Sequence, residues 1–244
     1  MLELRCVSNK KRCGVCREIS FQLEEGFVLG IVGKNGAGKT TLLKSILGER
    51  EIEGEIFWNG QNVRNYSYEF LQDIAYIADD APFMMEEWAD TNAEVFGALY
   101  ETFDWEIFQS EMAARKLFGR RHLHTFSRGE FLGFQLAFAR AHGARLYLLD
   151  EVTAGMDVVF RRTFYQYLRE RLEEEVTILM TTHLQSDLEQ VADYVAVMEQ
   201  GKILSFRAND EDAGTVGRDS DEPLPLLNSQ GNGWCILCAS IWNR

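Results

Sequence analysis

The chain has 244 residues, a formal net charge of −13 and a hydrophobic content of 46%, enough apolar material for the core of one large domain. The acidity argues against a nucleic-acid partner, whose affinity would rest largely on Lys and Arg. No apolar run approaches the ~20 residues that cross a bilayer, and Met1–Arg5 lacks the basic and apolar regions of a signal peptide, so a cytoplasmic location is expected.

In chain order, alternating Leu2, Leu4 and Cys6, then Ile19, Phe21 and Leu23, predict two antiparallel strands around a basic loop, Asn9-Lys10-Lys11-Arg12. Cys16 falls at an apolar position of the second strand, read from Val15 to Phe21. Two Cys-x-x-Cys pairs, Cys13/Cys16 and Cys235/Cys238, have the spacing of a four-thiolate zinc site. The strand position of Cys16 favours burial instead, and five cysteines, an odd number, disfavour a full disulfide framework.

Phe27–Val32 is short, apolar and partly β-branched, as a buried parallel strand should be. It runs into Gly33-Lys34-Asn35-Gly36-Ala37-Gly38-Lys39-Thr40, a complete G-x-x-x-x-G-K-[ST] phosphate loop. The glycines let backbone N–H groups approach phosphate oxygens, Lys39 adds an ammonium for the β- and γ-phosphates, and the Thr40 hydroxyl can ligate Mg²⁺. The helix that opens at Thr41 points its positive dipole end at the same anion. Strands are predicted at Glu53–Gly60 and Asp73–Ala78.

From about residue 84 to 140 strand signals vanish and apolar residues recur at helical spacing, Val95, Leu99 and Phe103, then Phe108 and Met112. This predicts a helical insert, closed by a helix over Phe131–Arg140. Ser127 and Glu130 have capping-box spacing at the start of that helix, whose exposed N-terminus is also a phosphate-binding element.

Leu146–Glu151 is an apolar strand ending in two acids, at the end of an open sheet where ligands bind. Asp150 is placed to hold Mg²⁺, and Glu151 to orient or deprotonate a water attacking the γ-phosphate. A helix is expected over 157–174 and a strand at Val176–Met180, which puts His183 at another strand end as a γ-phosphate contact. After a short helix near 186–190, Tyr194–Met198 and Lys202–Phe206 read as a hairpin across Glu199-Gln200-Gly201. Residues 208–244 have disordered composition around an apolar Trp234–Cys238 segment. That segment reads either as a docking element or as a non-native end.

The order of phosphate loop, helical insert, Ser-x-Gly helix start, Leu-Leu-Asp-Glu, Ala154-Gly155-Met156-Asp157 and Thr-Thr-His resembles the ATP-binding subunit of an ABC transporter, over about residues 2–207. It is most similar to short drug, peptide or bacteriocin exporter subunits that pair with a separate membrane protein. The resemblance implies an α/β phosphate-loop NTPase fold with an antiparallel β subdomain and a helical subdomain, using ATP and Mg²⁺. It implies two such subunits, identical or different, closing head to tail. Ser127 and Gly129 would then contact the γ-phosphate bound to the partner chain, while Asp157 links the two sites. A multi-spanning permease would hold the pair on the inner face of the membrane. A soluble ABC-type ATPase with a regulatory or nucleic-acid role is the alternative, disfavoured by acidity and by the lack of sustained heptads. A small-molecule kinase would need neither Ser127 nor Asp157.

Four positions depart from the family pattern. Asp79 stands where a Gln usually touches Mg²⁺; as a carboxylate it can still ligate the cation. Phe126, Arg128 and Glu130 replace three of the five residues of Leu-Ser-Gly-Gly-Gln. Val152 stands where a Pro commonly follows the catalytic Glu, and the loop at 9–12 lacks an adenine-stacking aromatic. Together these imply slow hydrolysis, or pairing with a subunit that supplies the better site.

Overall fold

The structure, a computed structural model, describes residues 1–10, 15–65, 68–184 and 188–209. Alternation of apolar and polar residues builds β1 (Leu2–Asn9) and β2 (Ile19–Leu23), which pair antiparallel with Leu2 opposite Leu23. The unbroken apolar run β3 (Val28–Val32) ends in the glycine-rich loop, and α1 (Lys39–Ile46) follows. β4 (Ile52–Trp58) pairs with β1, and a two-residue β5 (Gln61–Asn62) completes a four-stranded sheet in the order β2-β1-β4-β5. Neither β5 nor the short α2 (Tyr68–Gln72) that precedes β6 (Ile74–Ile77) was expected from the sequence.

The helical insert is present as α3 (Ala89–Gly97), α4 (Trp105–Ala114) and α5 (Arg128–Ala141). Its core is aromatic: Phe83 meets Phe96, Phe131, Phe134 and Phe138 edge-on, with centroids 4.9–6.3 Å apart. Phe108 and Met112 are buried as predicted. Of the 95–99–103 stripe, Phe103 packs on this core against Phe108 and Phe138, and the first two positions are a correction. Val95 and Leu99 are exposed, and α3 buries Ala89, Asn92, Ala93 and Gly97 instead. Small residues suffice because Asn92 replaces packing with hydrogen bonds, accepting from Met84 N and donating to Met84 O and Trp88 O. The buried Glu111 ties α4 to α5 by pairing with Arg115 and Arg140.

The remaining elements are β7 (Leu146–Asp150), α6 (Val158–Leu172), β8 (Thr177–Thr182), β9 (Tyr194–Glu199) and β10 (Lys202–Ala208). The second sheet runs β10-β9-β3-β8-β7-β6, parallel except for the β9–β10 hairpin. Gln200 and Gly201 take positive φ of 47° and 81° at the predicted hairpin turn. α1 packs Leu42, Leu43 and Ile46 between the two sheets, in one core with Leu4, Phe21, Ile31 and Leu148. The parallel strands β3, β7 and β8 therefore end on one edge, with loops 33–38, 150–157 and 182–184 adjacent.

Cys16 lies in the approach to β2 rather than within it, and is buried all the same. Its thiol donates to Gly38 O at 3.7 Å, and burial pushes its pKa up to about 12. A thiol held protonated makes a poor zinc ligand. Cys13, the second Cys-x-x-Cys pair, Lys11 and Arg12 of the basic loop, part of the 186–190 helix and the 210–244 tail lie outside the described residues.

Candidate functional site

The loop between β3 and α1 is shaped by what presses on it. A Cβ on Gly33 would stand 2.3 Å from the Met198 carbonyl of β9, so only glycine lets the loop run that close. Gly36 and Gly38 take φ of 82° and 110°, the left-handed region that L side chains avoid. Gly201 N donates to Ala37 O at 2.8 Å, and Gly201 O accepts from Arg17 N, so the hairpin turn braces the loop from below. Lys34, Asn35 and Gly36 form its exposed crest. α1 starts at Lys39 with no side-chain cap, which leaves its first N–H groups, including those of Thr40 and Thr41, available to an anion.

Lys39 is 3% exposed, and its Nζ donates to Gly33 O at 2.7 Å and Lys34 O at 3.2 Å. The same ammonium pairs with Glu151 Oε1 at 3.0 Å. Glu151 takes a positive φ of 49°, a costly conformation for a non-glycine residue that places its side chain at the mouth of the loop. Its other oxygen lies 3.5 Å from His183 Nδ1. Lys39, Glu151 and His183, drawn from 145 residues of sequence, thus stand in one chain of contacts.

Asp150, one residue earlier, accepts from the Thr181 hydroxyl at 2.6 Å, which fixes its rotamer from the neighbouring strand. Asp80 pairs with Lys44 of α1 at 2.6 Å and accepts from Tyr76. Lys44 holds the Asp80 carboxyl below its ordinary range. Asp79 forms a two-pronged pair with Arg128 rather than standing unpaired near the loop.

Ser127 caps α5 in a complete capping box. Its hydroxyl accepts from Glu130 N, and its own N–H donates to Glu130 Oε2 at 2.8 Å. Arg121 and this backbone N–H hold the Glu130 carboxyl down at about 2. Gly129 is favoured by packing, since a Cβ there would lie 2.8 Å from the Phe160 ring edge and displace it. Asp157 caps α6 by accepting from Phe160 N at 2.8 Å. Ser127, Gly129 and Asp157 therefore gather at two abutting helix starts, and Arg128, between the first two, donates to Glu151 O at 3.1 Å.

Sequence reasoning missed Thr181, Met198 and Gly201, which orient the site without entering it. Their signal is strand adjacency, which no local pattern carries.

A parallel sheet with a glycine-rich loop leading into a helix, a lysine beneath the loop and acids at the next strand end defines a phosphate-loop NTPase. The family model described as "ABC transporter" matches residues 16–154. The chain is 29% identical to the ABC transporter ATP-binding protein NatA of Bacillus subtilis over 207 residues, covering 82% of this chain and 84% of that one. It is 30% identical to a probable metal transport system ATP-binding protein of Thermotoga maritima, covering 69% of this chain and 68% of the relative. It is also 30% identical to the bacitracin transport ATP-binding protein BcrA of Bacillus licheniformis, over 76% and 62% of the two chains. Among solved structures, an ATP-binding subunit of an ABC transporter superposes with a TM-score of 0.75 at 22% identity, covering 85% and 90%. A dimeric ATP-binding cassette in a post-hydrolysis state with ADP and Pi gives the same TM-score at 18% identity, covering 86% and 99%. The chain belongs to the ABC transporter family of ATP-binding proteins, and it is an ATPase of that family.

Proposed function

We propose that this chain hydrolyses ATP to energise export through a separate membrane-spanning partner, with a second ATP-binding subunit, identical or different, completing each site. The observation that carries the reading is the convergence of Lys39, Glu151 and His183 on one edge of the sheet, below a loop with backbone N–H groups available. The bacitracin and multidrug transport names of relatives support the export direction. Among the described residues, no helix is long and apolar enough to cross a membrane. The chain would therefore sit on the inner face of the membrane through its partner.

Residues 33–41 hold the phosphates by backbone N–H groups, and Lys39 neutralises them once it leaves Glu151. The Thr40 hydroxyl and the Asp150 carboxylate are hard oxygen donors that fit Mg²⁺. That ion would screen the β- and γ-phosphate charge. Glu151 orients and deprotonates the attacking water, and His183 contacts the γ-phosphate while holding the Glu151 carboxylate. Ser127 and Gly129, at an N-terminus whose cap leaves N–H donors over, present themselves to the nucleotide of the other subunit. Asp157 stands at the adjoining helix start.

An apolar groove of about 470 Å³ between the insert and the sheet, lined by Tyr68, Leu71, Phe83, Phe96, Leu99 and Phe138, gives the membrane partner a surface. The test is capture of the tagged chain from detergent-solubilised membranes of its source. A co-purifying membrane-spanning protein that stimulates its ATP turnover is expected. Turnover indifferent to membranes, with no such protein retained, would contradict the transport reading.

A further inference from the structure

Two of the departures from the family pattern meet in space. Asp79 follows β6 and Arg128 opens α5, 49 residues later. Arg128 Nε donates to Asp79 Oδ1 at 2.8 Å, and its Nη2 lies 2.7 Å from Oδ2, a bidentate fork on a carboxylate. The same Nη2 donates to the main-chain carbonyl of Glu151 at 3.1 Å. Gly155 lies against the guanidinium, and what calls for glycine there is its positive φ of 72°. One side chain thus fastens the first turn of α5 to the segment after β6 and to the backbone of the proposed base.

We infer that Arg128 is a positioning residue: it neutralises Asp79 beside the nucleotide site and anchors Glu151 from the same chain. The inference rests on the nucleotide-site reading above. Hydrogen bonds and ion pairs run without a break from Lys39 to Glu151, from Glu151 to Arg128 and from Arg128 to Asp79. The neighbouring Asp80 already has Lys44 and Tyr76. Asp79 therefore depends on Arg128 for its countercharge. Without it, a carboxylate would face the triphosphate uncompensated. With it, Asp79 gives Arg128 a fixed rotamer, and Arg128 keeps the Glu151 carbonyl in place. A lysine at 128 would carry the charge but not the planar fork that reaches two acceptor groups at once.

The pair is partly exposed, 36% for Arg128 and 64% for Asp79, so the effect to be read is modest. Mg·ATP affinity of the purified full-length chain is measured for the parent, Arg128→Gln, Asp79→Asn and the double variant, at low and high salt, with thermal unfolding as the fold check. Arg128→Gln is expected to weaken binding ~3–5-fold at low salt, the scale of an exposed ion pair, and less at high salt. Asp79→Asn alone should tighten binding, and the double variant should return to within about twofold of the parent, because removing both charges leaves no mismatch. A double variant that keeps the full Arg128→Gln loss would overturn the inference and make Arg128 a direct phosphate ligand. Weakened binding in Asp79→Asn would overturn it too, by making Asp79 a metal ligand. A parent chain that binds no ATP, or binds it equally well as Lys39→Ala, would instead sink the nucleotide-site reading itself, and the inference with it.

Discussion

Gly33 shows how a single atom decides the site. Its φ is unremarkable for any residue; the constraint is the Met198 carbonyl, 2.3 Å from where a methyl group would go. Gly33→Ala must push the loop off β9 or distort the β9–β10 turn, and either moves the N–H groups that face the phosphates. We expect at least about a tenfold loss of ATP affinity by calorimetry; an unchanged affinity would contradict the loop geometry. The residues of the motif were legible in the sequence because their chemistry demands fixed local spacing: Lys39 and Thr40 after the glycines, and Asp150 and Glu151 after an apolar strand. The Arg128–Asp79 pair was not legible. Each residue by itself looks like loss of a family contact, and only the neighbouring placement of β6, β7 and the start of α5 turns two losses into one interaction. Cys16 was read correctly as buried, but what buries it is the phosphate loop, through Gly38 O, rather than a strand.

At the scale of elements, the insert rests on α5, buried from Phe131 to Ala139, and its end carries a pH-sensitive group. His142, the C-cap, is 1% exposed and stacks on Tyr100 with centroids 4.1 Å apart. Burial drives its pKa from 6.5 down to about 4. A depressed histidine is neutral in the fold and protonates first in the unfolded chain. Its contribution is therefore complete above pH 6.5 and is lost as pH falls toward 4. Between pH 7 and 5 the chain should lose about 2 kcal/mol on this account. Urea unfolding should show that loss in the parent and a smaller one in His142→Phe; equal acid sensitivity in both would refute the assignment. The existence of the insert was legible from the change of periodicity. The inward face of α3 was not, because it is made of Ala, Asn and Gly, whose burial depends on hydrogen bonding and close approach rather than on hydrophobicity.

At the scale of the whole molecule, α1 lies between an antiparallel sheet and a mostly parallel one, so the position of the glycine-rich loop is set by the sheets and that of Ser127 by the insert. The alternation of strands and helices announced the fold class. The separate antiparallel sheet was implied by the family resemblance, while the placing of β9 beside β3 depended on long-range pairing that no segment encodes alone. Arg128 spans the seam between core and insert within one chain. Ser127 and Gly129, beside it, are the residues that the proposed function assigns to the nucleotide of a second subunit. The central claim is that loop 33–40 holds ATP and Glu151 drives its hydrolysis. The most direct measurement is the identity of nucleotide retained after incubation with Mg·ATP by the parent, Glu151→Gln and Lys39→Ala chains. The account predicts ADP on the parent, intact ATP on Glu151→Gln and no nucleotide on Lys39→Ala. ADP accumulating on Glu151→Gln at the parent rate, or ATP retained by Lys39→Ala, would contradict it.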